Sequence, residues 1–134
     1  MNQEQVQDQS TPLDQGEYWK MLGMTIVQSK NGEAVVKLEA GRNLTQVFGR
    51  VHGGAVASLA DAAIGAAHRS YLKPGESQAT IELKVNFLKA VNLGELVAEA
   101  RIIHKGKKIS FGQAEIRNSE GDLVAFGVAT YMVI

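Results

Sequence analysis

Cysteine is absent from the 134-residue chain, which excludes disulfides, thiolate metal sites and a cysteine nucleophile together. The fold must therefore hold by burial. Net charge is also missing, because fourteen basic residues offset fourteen acidic ones, so no overall field draws the chain to nucleic acid or to an anionic membrane. The first seventeen residues are polar, rich in Gln and Asp, and lack the apolar run of a secretory signal or a membrane span. A cytoplasmic, soluble protein is expected. No Gly-x-Ser-x-Gly elbow, Walker sequence or dinucleotide glycine pattern occurs, which disfavours a serine triad and nucleotide binding. His68 and His104 have no carboxylate or second His at metal-ligand spacing, so no metal site is expected.

What is present suffices for one domain with a real core and not for two. Residues 1–16 read as a polar, mobile leader and residues 17–134 as the single domain. Apolar spacing from Leu13 to Leu22 allows a short helix that Gly23 stops. Strands are expected at 24–28 and 34–39, with Asn31-Gly32 as a hairpin turn. Residues 41–51 read as a loop into one long helix, 52–71, which Lys73-Pro74-Gly75 ends. Strands follow at 80–88, 97–103, 109–117 and 123–133, with turns at 104–107 and 118–121. In the first of these, Ile81, Leu83, Val85 and Phe87 alternate with Glu82, Lys84 and Asn86, which leaves Thr80 on the polar side. The last is apolar on both faces, as a central strand is. The reading is an α+β domain in which an antiparallel sheet of about six strands wraps a single helix. A doubly wound parallel sheet would need several helices.

Residues 55–67 of the long helix are small and apolar nearly all round, which suits close approach by a sheet and by a partner subunit. Asp61 is the only charge in that stretch. An isolated carboxylate there must be hydrogen-bonded or must perform a task, because burying it unpaired is costly. His52-Gly53-Gly54 opens the helix, where the first N–H groups lack intrahelical acceptors and the macrodipole favours negative charge. Aimed at a carbonyl, such donors stabilise an oxyanion. Gly53 and Asp61 are eight residues apart, about 12 Å along a helix, too far to serve one carbonyl carbon. Two such helices packed antiparallel about a two-fold axis would set Asp61 of one subunit opposite Gly53 of the other, so the chemistry predicts an obligate dimer.

Gly49-Arg50-Val51-His52-Gly53-Gly54, Leu59-Ala60-Asp61 and the stretch from Thr80 to Phe87 together resemble the PaaI-like acyl-CoA thioesterases of the hotdog-fold superfamily. The resemblance runs from about residue 48 to the C-terminus. It implies a hotdog fold, a homodimer that often pairs into a homotetramer, and hydrolysis of acyl-CoA to a carboxylic acid and CoA with no separate cofactor. By position, Gly53 resembles the oxyanion donor and Asp61 the nucleophile or general base. His52 would orient the thioester or nearby groups, and Thr80 would position water or Asp61. Gln46 stands where family members often have Asn, keeping the carboxamide on a longer arm. Gly54 lets substrate approach the backbone, and Arg50, Lys105, Lys107 and Lys108 are candidates for the CoA phosphates.

Both routes need Asp61 ionised: as base it takes a proton from water, and as nucleophile it forms a mixed anhydride that water opens. A rival reading is a non-catalytic hotdog module that binds acyl-CoA as sensor or scaffold, although a pure binding pocket gains nothing from an unpaired carboxylate. Hydration or dehydration of a thioester would need a His paired with an acid at another spacing. Aromatic, short-chain and medium-chain acyl groups all stay open.

Overall fold

The computed structural model describes residues 11–134; the expected mobility of the first ten residues falls outside the described residues. Leu13–Gln15 form a 3-10 turn. Leu13 packs on the core, and Asp14 Oδ2 accepts the Ile26 N–H at 3.0 Å. Helix α1 (Glu17–Leu22) ends at Gly23, whose φ of 83° lets its N–H return to the Trp19 and Lys20 carbonyls.

Asn31 and Gly32 both take positive φ, 53° and 78°, as a tight antiparallel turn demands. The chain reverses there between β1 (Met24–Lys30) and β2 (Glu33–Ala40). After a 3-10 turn at Arg42–Leu44, residues 41–51 form the expected loop, tied by a bridge between Thr45 and Val51. Helix α2 (Gly53–Arg69) follows. It stops two residues before the expected end, where the Ser70 hydroxyl donates to the Ala67 carbonyl at 2.7 Å and accepts the Gly32 N–H at 2.7 Å. Strands β3 (Gln78–Phe87), β4 (Gly94–Lys105), β5 (Ile109–Asn118) and β6 (Leu123–Val133) complete the chain. β4 extends into the expected turn, so His104 is a strand residue and the reversal narrows to 106–108.

All six strands join one antiparallel sheet in the order β1-β2-β4-β5-β6-β3. β6 is interior, as its two apolar faces imply. Alternate residues of β2 (Ala34, Val36, Leu38, Ala40) and β4 (Leu96, Ala98, Ala100) are buried against α2, which lies across the concave face. Small residues set the helix-to-sheet distance: a Cβ on Gly127 would stand 3.0 Å from Ala60 Cβ, and one on Gly112 would stand 2.8 Å from Ile64 Cγ2. Along α2 the sheet side is sealed, while Ala57, Ser58, Asp61 and Ala62 form a half-buried stripe at helical spacing. No helix among the described residues is long and apolar enough to cross a membrane. One helix in a curved six-stranded sheet is the hotdog fold.

β3 departs from simple alternation in a way that matters for the site. Thr80 pairs with Tyr131 and Glu82 with Thr130, so Ile81 is an extra, bulged residue. The bulge reverses the face of everything before it. Leu83 and Val85 point inward as expected, but Ile81 is 51% exposed, and Thr80, expected on the polar side, shares the inner face with Tyr131.

Candidate active site

The N-terminus of α2 is built by its own cap. His52 has extended backbone (φ −63°, ψ 136°), and its Nδ1 accepts the Gly54 N–H at 2.8 Å. That bond requires an unprotonated Nδ1, so the neutral ring carries its proton on Nε2, facing away from the helix. The Gly54 N–H, one of the donors expected to meet a ligand, is therefore engaged by His52. The Gly53 N–H has no acceptor among the described residues, and Gly53 is exposed. It is the free donor at the helix tip. Gln46 folds back on its own turn: its Oε1 accepts the Phe48 N–H at 2.6 Å and the Arg50 N–H at 3.4 Å. Only the amide N–H groups of Gln46 remain to meet a ligand. Arg50 is exposed beside it.

Asp61 sits two turns along the same helix. The bulge in β3 aims Thr80 at it, and Thr80 Oγ1 donates to Asp61 Oδ1 at 2.9 Å. A second hydroxyl reaches the same atom: Tyr131 Oη, from β6, donates to Asp61 Oδ1 at 2.5 Å and also lies 2.8 Å from the Asp61 carbonyl. Tyr131 is 5% exposed. Burial first, and then the charge of Asp61, hold its phenol well above the ordinary tyrosine range, so it stays protonated and acts as a donor.

Tyr131 is fixed from behind. Its ring packs on His68 with centroids 5.5 Å apart, and His68 Nδ1 lies 2.7 Å from Gln78 Oε1. Gln78 Nε2 donates to the Gly65 carbonyl at 2.8 Å, which orients its amide and makes His68 Nδ1 the donor of that pair. Sequence reasoning missed Tyr131, Gln78 and the packing role of His68. The one available signal was Gly65, a poor helix former placed four residues from the acid.

A cavity of about 170 Å³ opens beside Asp61, walled by Leu13, Trp19 and Met24 on the N-terminal side and by Ser58, Gln78 and Tyr131 opposite. Tyr18 Oη bonds Ser58 Oγ at 2.7 Å, which pins α1 over α2. The basic turn lies elsewhere. Lys105 Nζ stands 5.3 Å from the centre of the Tyr71 ring, beyond the C-terminal end of α2, and the helix's seventeen residues span about 25 Å. Within one protomer, then, Asp61 and Thr80 come together. Gly53, His52 and Gln46 gather at the helix tip about 12 Å off. Lys105, Lys107 and Lys108 join neither group.

Residues 48–125 match the Thioesterase superfamily, and the chain belongs to that family of thioester hydrolases. It is 33% identical to the 1,4-dihydroxy-2-naphthoyl-CoA hydrolase of Listeria monocytogenes, over 84% of this chain and 91% of that protein. Among solved structures it superposes on a conserved protein of Pseudomonas aeruginosa with a TM-score of 0.85 at 31% identity, covering 96% and 99% of the two chains. The PaaI protein of the Escherichia coli phenylacetic acid degradation operon superposes with a TM-score of 0.82 at 27% identity, over 90% and 86%. The PaaI-like resemblance of the motifs thus extends through the fold.

Proposed function

We propose that the protein is a cytoplasmic acyl-CoA thioesterase whose site is shared across a homodimer. The observation that carries the reading is a division of labour along α2. A carboxylate held by two hydroxyls lines an open cavity, while the Gly53 N–H, the one helix-tip donor without an acceptor among the described residues, lies about 12 Å from it. One protomer has both parts of a hydrolytic site and cannot bring them to one carbonyl. A second copy supplies the missing half.

In this reading the thioester oxygen rests on Gly53 N–H of one subunit, where the helix dipole adds to the stabilisation of the oxyanion. Asp61 of the other takes the proton of an attacking water. His52 Nε2–H and the Gln46 amide supply further donors at the tip. We favour this general-base route over direct attack by Asp61. Labelled solvent oxygen recovered in Asp61 after a single turnover would defeat it. No cofactor is needed beyond the CoA of the substrate.

Two surfaces support the dimer. β3 is a ten-residue edge strand with Ile81 and Phe87 half exposed, a pairing hazard unless another strand covers it. The stripe of Ala57, Ser58 and Ala62 lets another backbone come close to Asp61. On the outer face of the sheet, Ile109, Phe111 and Met132 are exposed, which supports pairing of dimers into a tetramer. The naphthoyl-CoA substrate in the name of the Listeria relative supports CoA esters as the substrate class. Thiol release from a panel of acyl-CoA esters tests the reading. The absence of cysteine means a thiol reagent reports CoA alone. Wild type turns over at least one ester, and Asp61→Asn and Asp61→Ala lose that activity. Equal rates for all three would leave the non-catalytic binding module in its place.

A further inference from the structure

We infer that Tyr131 is a positioning residue which, with Thr80, anchors Oδ1 of Asp61 and leaves Oδ2 as the oxygen that works. The inference rests on the reading of Asp61 as the reactive carboxylate, and it assigns which oxygen reacts and what selects it. An aspartate rotates broadly about its last torsion, so an unrestrained carboxylate presents either oxygen in turn. Here both donors converge on one oxygen, Thr80 Oγ1 at 2.9 Å and Tyr131 Oη at 2.5 Å. Oδ2 has no partner among the described residues and is not sealed from solvent, and Asp61 lines the cavity. An oxygen already receiving two hydrogen bonds is a poor base and a poor nucleophile. The oxygen beside it is neither blocked nor free to turn away.

The fold goes to some length to put a phenol there. The inner face of β6 runs Ala125, Gly127, Ala129 and then Tyr131, three small residues followed by a large one. Opposite the hydroxyl, α2 carries Gly65, where a Cβ would lie 2.6 Å from Tyr131 Oη. A glycine in mid-helix costs about 1 kcal/mol relative to alanine, and here it leaves room for the hydroxyl. The Tyr131 hydroxyl has a second acceptor in the Asp61 carbonyl at 2.8 Å, so satisfying its own polarity would not require the carboxylate. The shorter contact is nevertheless to the carboxylate.

Tyr131→Phe is the test, because it keeps the ring against His68 and removes only the donor. Two readouts are compared with wild type: kcat and KM on the best acyl-CoA ester, and the chemical shift of the Asp61 carboxyl carbon at one fixed pH, followed by NMR of carboxyl-labelled protein. Losing the Tyr131 donor changes the surroundings of Asp61 Oδ1, so the carboxyl resonance moves. Loss of orientation slows turnover, and kcat is expected to fall about tenfold with KM within twofold. Gly65→Ala, which crowds the hydroxyl with a Cβ while leaving Asp61 and Tyr131 unsubstituted, reproduces the same pattern.

A kcat that is unchanged or higher, or a carboxyl resonance that does not move, overturns the inference. If Asp61→Asn is inactive while Tyr131→Phe matches wild type, the inference fails and the thioesterase reading stands. If wild type hydrolyses no acyl-CoA, that reading fails, and the Asp61 carboxyl resonance still decides whether Tyr131 holds the carboxylate.

Discussion

Gly53→Pro is the sharpest perturbation of the shared site, because it replaces the free N–H with a ring carbon at a position where the helix tolerates proline. Gly53 is the first residue of α2, the helical position where proline is most favoured, since the missing N–H has no intrahelical acceptor there. The preceding His52 already has φ −63° and ψ 136°, the extended conformation that a following proline imposes. The nearest atom to a new Cβ is a Phe87 ring carbon at 3.5 Å, an ordinary contact. The helix should therefore survive while the oxyanion donor is lost. Removal of one such donor lowers kcat by about 10² to 10³.

The shared site makes a stronger prediction when Gly53→Pro is paired with Asp61→Asn. Each variant alone is nearly inactive. In a mixed dimer, purified through two different tags, one site joins Asp61 of the first subunit to Gly53 of the second, and the other site lacks both. Thiol release by the mixed dimer should recover to about half of the wild-type turnover per dimer. If Asp61 and Gly53 act within one subunit, each subunit of the mixed dimer is defective and no activity returns. A mixed dimer as inactive as its parents would refute the geometry.

Two further outcomes follow from the packing and the charges. Gly112→Ala places a Cβ 2.8 Å from Ile64 Cγ2, 3.0 Å from Ile102 Cδ1 and 3.1 Å from the Arg101 carbonyl. Thermal denaturation should show a loss of about 1–3 kcal/mol, and an unchanged Tm would mean that helix and sheet separate more easily than their packing implies. Neutralising Lys105, Lys107 and Lys108 together should raise KM for acyl-CoA and weaken its salt dependence with kcat unchanged, if a dimer brings that turn to a CoA phosphate. An unchanged KM would return the turn to being a solvated hairpin.

The parts of the fold legible in the sequence were those set by neighbours along the chain. Asn31-Gly32 specifies its turn by backbone conformation alone, Gly23 ends α1 by taking a positive φ, and the run of small residues in α2 records how closely the sheet approaches. Element ends were less legible because they depend on contacts from afar. α2 ends where Ser70 meets Gly32, thirty-eight positions away, and β4 continues through His104 because β5 pairs with it.

Thr80 shows why local pattern was not enough for the site. Strict alternation from Phe87 backwards points Ile81 inward and Thr80 outward, and nothing in the residues 80–88 announces the bulge. The bulge exists because β3 pairs with β6, the last strand of the chain, whose register decides which residue of β3 is extra. Tyr131 was illegible for the same reason: seventy positions separate it from Asp61, and on an apolar strand an aromatic reads as core. Asp61 could be found from sequence because a charge amid small apolar residues conflicts with its own surroundings. Its partners could not, because a hydroxyl on a strand conflicts with nothing until the sheet closes over the helix.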